Sequence, residues 1–497
     1  MSLTRSFTVK TASNVWVALV GFLTSVMLNR SLGPHDYGML VLAYAAAMFC
    51  WNFVDLGAGA ALSRYLPQYL AQGDEQRAAT LVRVGWQALW MGLAILGLAL
   101  WILAEWLAVT IFRQPHLAPF LRLSVAYFAS FSILNYGQQF LQAIQSWKAE
   151  SWFGALYPTL YLAGCGLGGL LGPLSVGRVL AMNVIAALLT AGILWLSLER
   201  RKRRLLSGQI LSNQRDVRQA CSDIVHFGTP LLFNNLVFFV MVWADKVLMS
   251  RYRSLEELTY YYVGFAFFNA LLVVSKTFYT VLLPYVSQIS TEGIERTRAA
   301  FRILFFAFLQ LALCLSLVTY ATIGPIVNLC YGPSYHVAAV ACQWLLVVFI
   351  LRMLINAMGL FLLNAFGLGK TSALLSTVLI GSQVGLSLLW IPRYGWLGAV
   401  WANIAAYVLY GLAMALGVRA IRQLFSWELL LGAVGIGGFT VAVSAVAMWV
   451  APAWQFWTIP LLVGGLGWVT LTPILRDRYQ WKPAWSSWGP VLRFLRA

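Results

Sequence analysis

Two basic residues stand where hydrocarbon would be expected. Lys276 lies near the middle of an apolar run over 260–287, and Arg352 near the middle of another over 338–363. A charge inside such a run is costly in lipid, so it faces a cavity or a partner rather than the bilayer. Two such cations could hold an anion. Guanidinium grips a phosphate through paired hydrogen bonds, and ammonium acts as a point charge. Arg30 and Arg64 stand at the ends of runs, where they could serve the same anion, although snorkelling to the headgroups is the ordinary role there. Among the acids, Asp55 lies inside the run 38–62, Asp245 inside 227–249, and Glu105 borders a run. A carboxyl in a cavity can change protonation as its exposure changes, which makes Asp55 the first candidate for coupling to a cation. Asp245 is the second, but Lys246 follows it directly near a span end, which favours a local structural role. The competing reading of Lys276 and Arg352 is structural: each pairs with Asp55 or Asp245 and only holds helices together.

The elements that must position these residues are membrane helices. The chain has 497 residues, a mean hydropathy of +0.76 and 10% charged side chains, against about 25% in soluble domains. It lacks the polar surface to cover a water-soluble body of this size. Apolar runs give fourteen candidate spans. The net charge of +18 could suggest nucleic acid, but the basic residues sit in short loops between spans, which is the membrane pattern. The densest block is Arg200-Arg-Lys-Arg-Arg204, and clustered cations of this kind stay in the cytoplasm. With that loop inside, 24 of the 34 Lys and Arg fall in cytoplasmic segments and 7 in the opposite ones. Both termini are then cytoplasmic. Arg5 and Lys10 precede an apolar run without a small-residue cleavage site, so that run reads as a retained helix. Six cysteines without paired spacing read as small apolar residues, and four scattered histidines suggest no metal. Asn364-Ala-Phe-Gly-Leu-Gly-Lys-Thr371 nearly matches a phosphate-binding loop. It lacks the first glycine and a preceding strand, so it reads as a turn between spans.

An internal repeat organises the spans. Thr24-Ser-Val-Met-Leu-Asn-Arg30 matches Asp245-Lys-Val-Leu-Met-Ser-Arg251, Arg30-Ser-Leu32 matches Arg253-Ser-Leu255, Gln142-Ala143 matches Asn364-Ala365, and Asn183-Val-Ile-Ala186 matches Asn403-Ile-Ala-Ala406. The offsets are 221, 223, 222 and 220 residues. Six spans therefore map onto the next six in the same orientation, a plan that places a substrate site between halves. The expected fold is an all-α polytopic membrane protein of about 14 transmembrane helices, with two six-helix repeats and two C-terminal helices. Its segments are an N-lobe over 1–198, a basic cytoplasmic linker over 199–225, a C-lobe over 226–418, spans 13 and 14 over 419–475, and a cytoplasmic interfacial tail over 476–497.

The turn Arg30-Ser-Leu-Gly33-Pro34-His-Asp-Tyr37-Gly38, followed by Asp55-Leu-Gly57-Ala-Gly59-Ala-Ala-Leu62-Ser-Arg64, resembles the opening of the Wzx-type lipid-linked oligosaccharide flippases. These belong to the multidrug/oligosaccharidyl-lipid/polysaccharide exporter superfamily. The motifs cover about the first 65 residues, and the span count and repeat are similar to that family along the whole chain. His35-Asp36 departs from a position that is often acidic in the family. The resemblance implies movement of an undecaprenyl-diphosphate-linked oligosaccharide between leaflets of a bacterial inner membrane. It also implies a polysaccharide polymerase and a chain-length regulator as partners. No cofactor is expected beyond a coupling H+ or Na+, and no nucleic acid. A multidrug antiporter of the same superfamily would line its cavity with acids rather than cations. A membrane polymerase would need catalytic residues on sizeable outer loops, and the outer loops here are short.

Overall fold

In the computed structural model, residues 3–198 and 213–424 are described, apart from 365, together with the isolated positions 432 and 435. The basic block of the linker, spans 13 and 14 and the tail lie outside the described residues. The described elements are helices: α1 (Leu3–Trp51), α2 (Ala58–Ala71), α3 (Glu75–Trp106), α4 (Ala118–Ala143), α5 (Trp147–Leu170), α6 (Val176–Ser197), α7 (Gln214–Tyr252), α8 (Leu255–Ile289), α9 (Ile294–Tyr331), α10 (His336–Asn364), α11 (Gly369–Tyr394), α12 (Trp396–Gly417) and the short α13 (Arg419–Arg422). Among the described residues, nine segments are long and apolar enough to cross a membrane. Leu170, Leu171, Leu196 and Leu329 are each at least 74% exposed. Apolar exposure on that scale makes sense only with lipid as the covering solvent.

The repeat reappears in the helix boundaries. α9, α10, α11 and α12 begin 218 to 222 residues after α3, α4, α5 and α6. A single 3-10 turn leads into each of α4 and α10, over Pro115–Leu117 and Pro333–Tyr335. Proline suits a first helical turn because its missing N–H has no partner to lose there. The two copies differ in the second span of each. Where α8 runs unbroken through 274–279, the first copy loses its helix between Trp51 and Ala58.

By packing, the chain forms two units, one of residues 1–262 with 387–399 and the other of 263–386 with 400–497. In the first, α4 is the central helix, with α1, α2, α3, α5 and α6 packed around it. Its buried Phe128, Tyr136 and Phe140 join Leu62, Leu81 and Leu66 in one core. α1 kinks at Gly33, whose φ of 76° is open to glycine at no steric cost, and Pro34 restarts the helix. Just beyond the kink, Gly38 lies against the Leu255 carbonyl and the Thr259 hydroxyl, and Thr259 Oγ1 donates to the Pro34 carbonyl at 2.6 Å. Arg253 donates to the carbonyls of Ile391 and Pro392 at 3.2 and 3.1 Å, while the Trp396 N–H donates to Glu257 at 2.7 Å. These bonds fasten the start of α8 to the α11–α12 turn.

In the second unit α9 lies along α10, with Phe301 meeting Phe361 edge-on at 5.2 Å. Asn356 of α10 donates to Ser275 of α8 at 2.8 Å. The near-phosphate-loop sequence is the turn from α10 to α11, with Gly367 left-handed at φ 65° and no strand before it. All six cysteines are free; Cys50, Cys165 and Cys342 are buried and Cys221 is exposed.

Candidate functional site

Span two was expected to be one helix over 38–62, and the structure breaks it. Asp55 caps the helix that restarts after it. Its Oδ1 accepts from the Gly57 N–H and its Oδ2 from the Gly59 N–H, each at 3.0 Å. The side chain thereby satisfies amides that would otherwise be orphaned at the start of α2. Leu56 and Gly57 are both left-handed, at φ 51° and 83°. For leucine that conformation costs roughly 1–2 kcal/mol, so the surroundings must hold it.

Glycines on two other helices make the room. A methyl group at Gly92 of α3 would strike the Val54 carbonyl, and one at Gly228 of α7 would strike the Leu56 carbonyl. Non-helical backbone at membrane depth survives only where protein buries it or it lines a cavity, and here both apply. Gly92→Ala should lower stability by about 1–3 kcal/mol, since the Val54 group it would strike is backbone and cannot rotate away. Gly21→Ala, at a position with nothing within 4 Å, is the control expected to leave the melting temperature unchanged.

Beside the break lies a cavity of about 110 Å³, enough for several waters. Asn52, Asp55, Ser132, Asn135, Gln139 and Asn235 supply its polar wall. Ser132, Asn135 and Gln139 recur at helical spacing and so share one face of α4. Gln139 Nε2 donates to Asn135 Oδ1 at 2.6 Å, and Tyr136 donates to the Val82 carbonyl at 2.9 Å. Gln139 Oε1 is buried and has no hydrogen-bond partner among the described residues.

Arg64 stands on α2 beyond the break, exposed, with its guanidinium 4.7 Å from the Phe227 ring and 5.3 Å from the Tyr65 ring. Phe227 adjoins Gly228, so Arg64 and the break meet the same piece of α7. Arg30 is exposed at the end of the first segment of α1, just before the Gly33 kink. Asp245 is elsewhere and fully committed. Its Oδ1 accepts from Lys246 Nζ at 3.0 Å and its Oδ2 from Tyr261 at 2.6 Å, with both charged side chains only 1% exposed. Lys246 also donates to the Val242 carbonyl at 2.7 Å. Asp245 thus draws its neutralising charge from its own neighbour.

In the second unit, Arg352 is half-buried on α10 between the buried Phe349 and Met353, with no ion-pair or hydrogen-bond partner among the described residues. Lys276 lies on α8, and its side chain is outside the described residues. Among the candidates whose side chains are described, Asp55 and Arg64 stand near the same piece of α7. The structure adds Gln139, Asn135, Asn52 and Asn235, which charge alone does not single out; an amide inside an apolar run was the available signal. It adds also a closed hydrogen-bond chain in the first unit. Tyr157 donates to Asn183 Oδ1 at 2.6 Å, Asn183 donates to Tyr44 at 2.8 Å, and the Tyr44 and Tyr161 hydroxyls meet at 2.8 Å. That network links α1, α5 and α6 with its partners satisfied, which suits a structural role.

Three comparisons bear on this arrangement. Residues 3–290 match a family model described as polysaccharide biosynthesis protein. The EPS I polysaccharide export inner membrane protein EpsE of Ralstonia nicotianae is 23% identical over 337 residues, covering 66% of this chain and 73% of that one. Among solved structures, the lipid II flippase MurJ in an inward closed conformation superposes with a TM-score of 0.63 at 15% identity, covering 94% of this chain and 98% of that one. A multidrug resistance MATE family transporter of the MOP superfamily, inward-facing, gives 0.64 at 15% identity over 82% and 96%. At that identity the two structures establish the fold.

Proposed function

The chain belongs to the polysaccharide biosynthesis protein family, and from that premise we propose that it is a flippase for a polyprenyl-diphosphate-linked oligosaccharide. It is a multi-pass membrane transporter rather than an enzyme, and the observation that carries the finer reading is the family match over more than half of the chain on a flippase-like fold. The cargo, an undecaprenyl-diphosphate-linked sugar, moves from the inner to the outer leaflet of a bacterial inner membrane. Both termini lie in the cytoplasm. A polymerase and a chain-length regulator take up the product outside. Lys276 and Arg352 bind the diphosphate or an acidic sugar, because two cations set within apolar runs of the sequence match a polyanionic head better than they match a cationic drug. Alternating access by the two repeat halves carries the head across while the polyprenyl tail stays in lipid. Uptake of H+ or Na+ at Asp55 couples the cycle.

Depletion of the protein should leave lipid-linked oligosaccharide on the inner leaflet, measured by leaflet-selective labelling. Normal delivery to the outer leaflet with failure only of chain extension would point instead to a polymerase. Native thiols test the orientation. An impermeant reagent should reach Cys330 from outside and Cys221 only after lysis; the reverse labelling overturns it.

A further inference from the structure

Asp55 and Gln139 bring two acceptor oxygens together against Gly59. A carbon at the Cβ position of Gly59 would fall on Gln139 Oε1 and lie 2.9 Å from Asp55 Oδ2, so the two oxygens share one small space. Each carboxylate oxygen already takes one backbone N–H and keeps a further lone pair free. The orientation of Gln139 follows from its other end, since Nε2 donates to Asn135 Oδ1. What remains is a buried carbonyl oxygen, without a donor among the described residues, against a carboxylate at the edge of a polar cavity.

We propose that this space is a binding site for one small monovalent cation, H+ or Na+, held between Asp55 and Gln139. A cation there removes the repulsion between the two oxygens and supplies the partner that Gln139 Oε1 lacks. The cavity gives the ion room to exchange, and Asn52 and Asn235 add side-chain amides to its wall. From the elements packed on the site, the end of α1 and the helices α2, α3, α4 and α7, one other titratable side chain among the described residues lines the cavity. It is Tyr136, whose hydroxyl is committed to Val82. Arg64 of α2 is held by the rings of Tyr65 and Phe227. Asp55 therefore carries the ionisable chemistry of this cavity. The second copy of the repeat has no such break, and Lys276 falls where the first copy has Phe53. The first copy thus carries the acid and the second the base. The coupling role rests on the transporter reading above, whereas the binding site itself can be tested without any cargo.

The test uses the purified full chain in nanodiscs, with no lipid-linked sugar present. Thermal stability is followed by tryptophan fluorescence as NaCl replaces choline chloride at constant ionic strength, and again as the pH falls from neutral to mildly acidic. Binding to the native state raises the melting temperature. A rise with Na+ that Asp55→Asn abolishes identifies a sodium site. A rise with acid alone, also lost in Asp55→Asn, identifies a proton site. In either case Gln139→Leu should weaken half-saturation about tenfold, and Gln139→Glu should tighten it. If Asp55→Asn does not fold, the two Gln139 variants carry the test. No response to either ion, or a response unchanged in both Gln139 variants, overturns the proposal. That is also the result expected if the Gln139 and Asn135 amides are both turned so that Nε2 donates to Asp55. A protein that binds the ion yet leaves lipid-linked oligosaccharide on the inner leaflet would retain this site and lose the flippase reading.

Discussion

Asp245→Ala should destabilise the protein by about 3–5 kcal/mol, among the largest single-residue effects available in this chain. Asp245 and Lys246 are both 1% exposed and 3.0 Å apart. Removing the carboxylate leaves an ammonium in an apolar interior with the Val242 carbonyl, and leaves the Tyr261 hydroxyl without the oxygen it met at 2.6 Å. Removing both charges together is a different experiment. Asp245→Ala with Lys246→Met should recover most of the loss, because a buried pair replaced by apolar groups of similar volume is often neutral. Melting temperature and expression level measure the first effect. Transport by the double variant then separates two roles for Asp245. If the carboxylate only balances Lys246, transport returns with stability; if it couples an ion, a stable double variant stays inactive. A single variant as stable as the parent would mean that the pair does not anchor α7 to α8.

The sequence makes the membrane architecture legible because a long apolar run has few alternatives to a helix in lipid. The repeat was visible too, and the helix starts of α3 to α6 and α9 to α12 reproduce its spacing. The adjacent Lys246 favours a local structural role for Asp245, and the two side chains lie 3.0 Å apart. The break in span two did not emerge, although its letters were in view. Asp55-Leu-Gly57-Ala-Gly59 reads equally as a small-residue packing surface, and both readings are correct in part. What decides for the break is tertiary. Gly92 and Gly228, on helices far away in sequence, make room for the carbonyls of Val54 and Leu56. Leu56 is left-handed without being a glycine, so its own identity gives no warning. Asn135, Gln139 and Asn235 escaped for another reason. Amides cost less in an apolar run than charges do, so a search by charge alone passes over them.

Arg352 carries the second large expectation. A guanidinium half-buried among Phe349 and Met353, with no acceptor among the described residues, is an expensive group to keep. Its cost is offset if an anion arrives during the cycle, and a diphosphate fits because the guanidinium fork can span two phosphate oxygens. Arg352→Ala should then reduce delivery of lipid-linked oligosaccharide to the outer leaflet by about 100-fold, the equivalent of losing one charge-assisted contact of about 3 kcal/mol. Arg352→Lys keeps the charge but loses the fork, and should retain an intermediate rate. Lys276→Ala should fall in the same direction, by less, since an ammonium binds phosphate as a point charge. Both Arg352 variants should insert and melt like the parent, because no bond to another described side chain is lost there. Rates and protein levels measured together make the result decisive. Full transport by both alanine variants at normal protein level would remove Lys276 and Arg352 from the cargo site and return both to a role in holding the helices together.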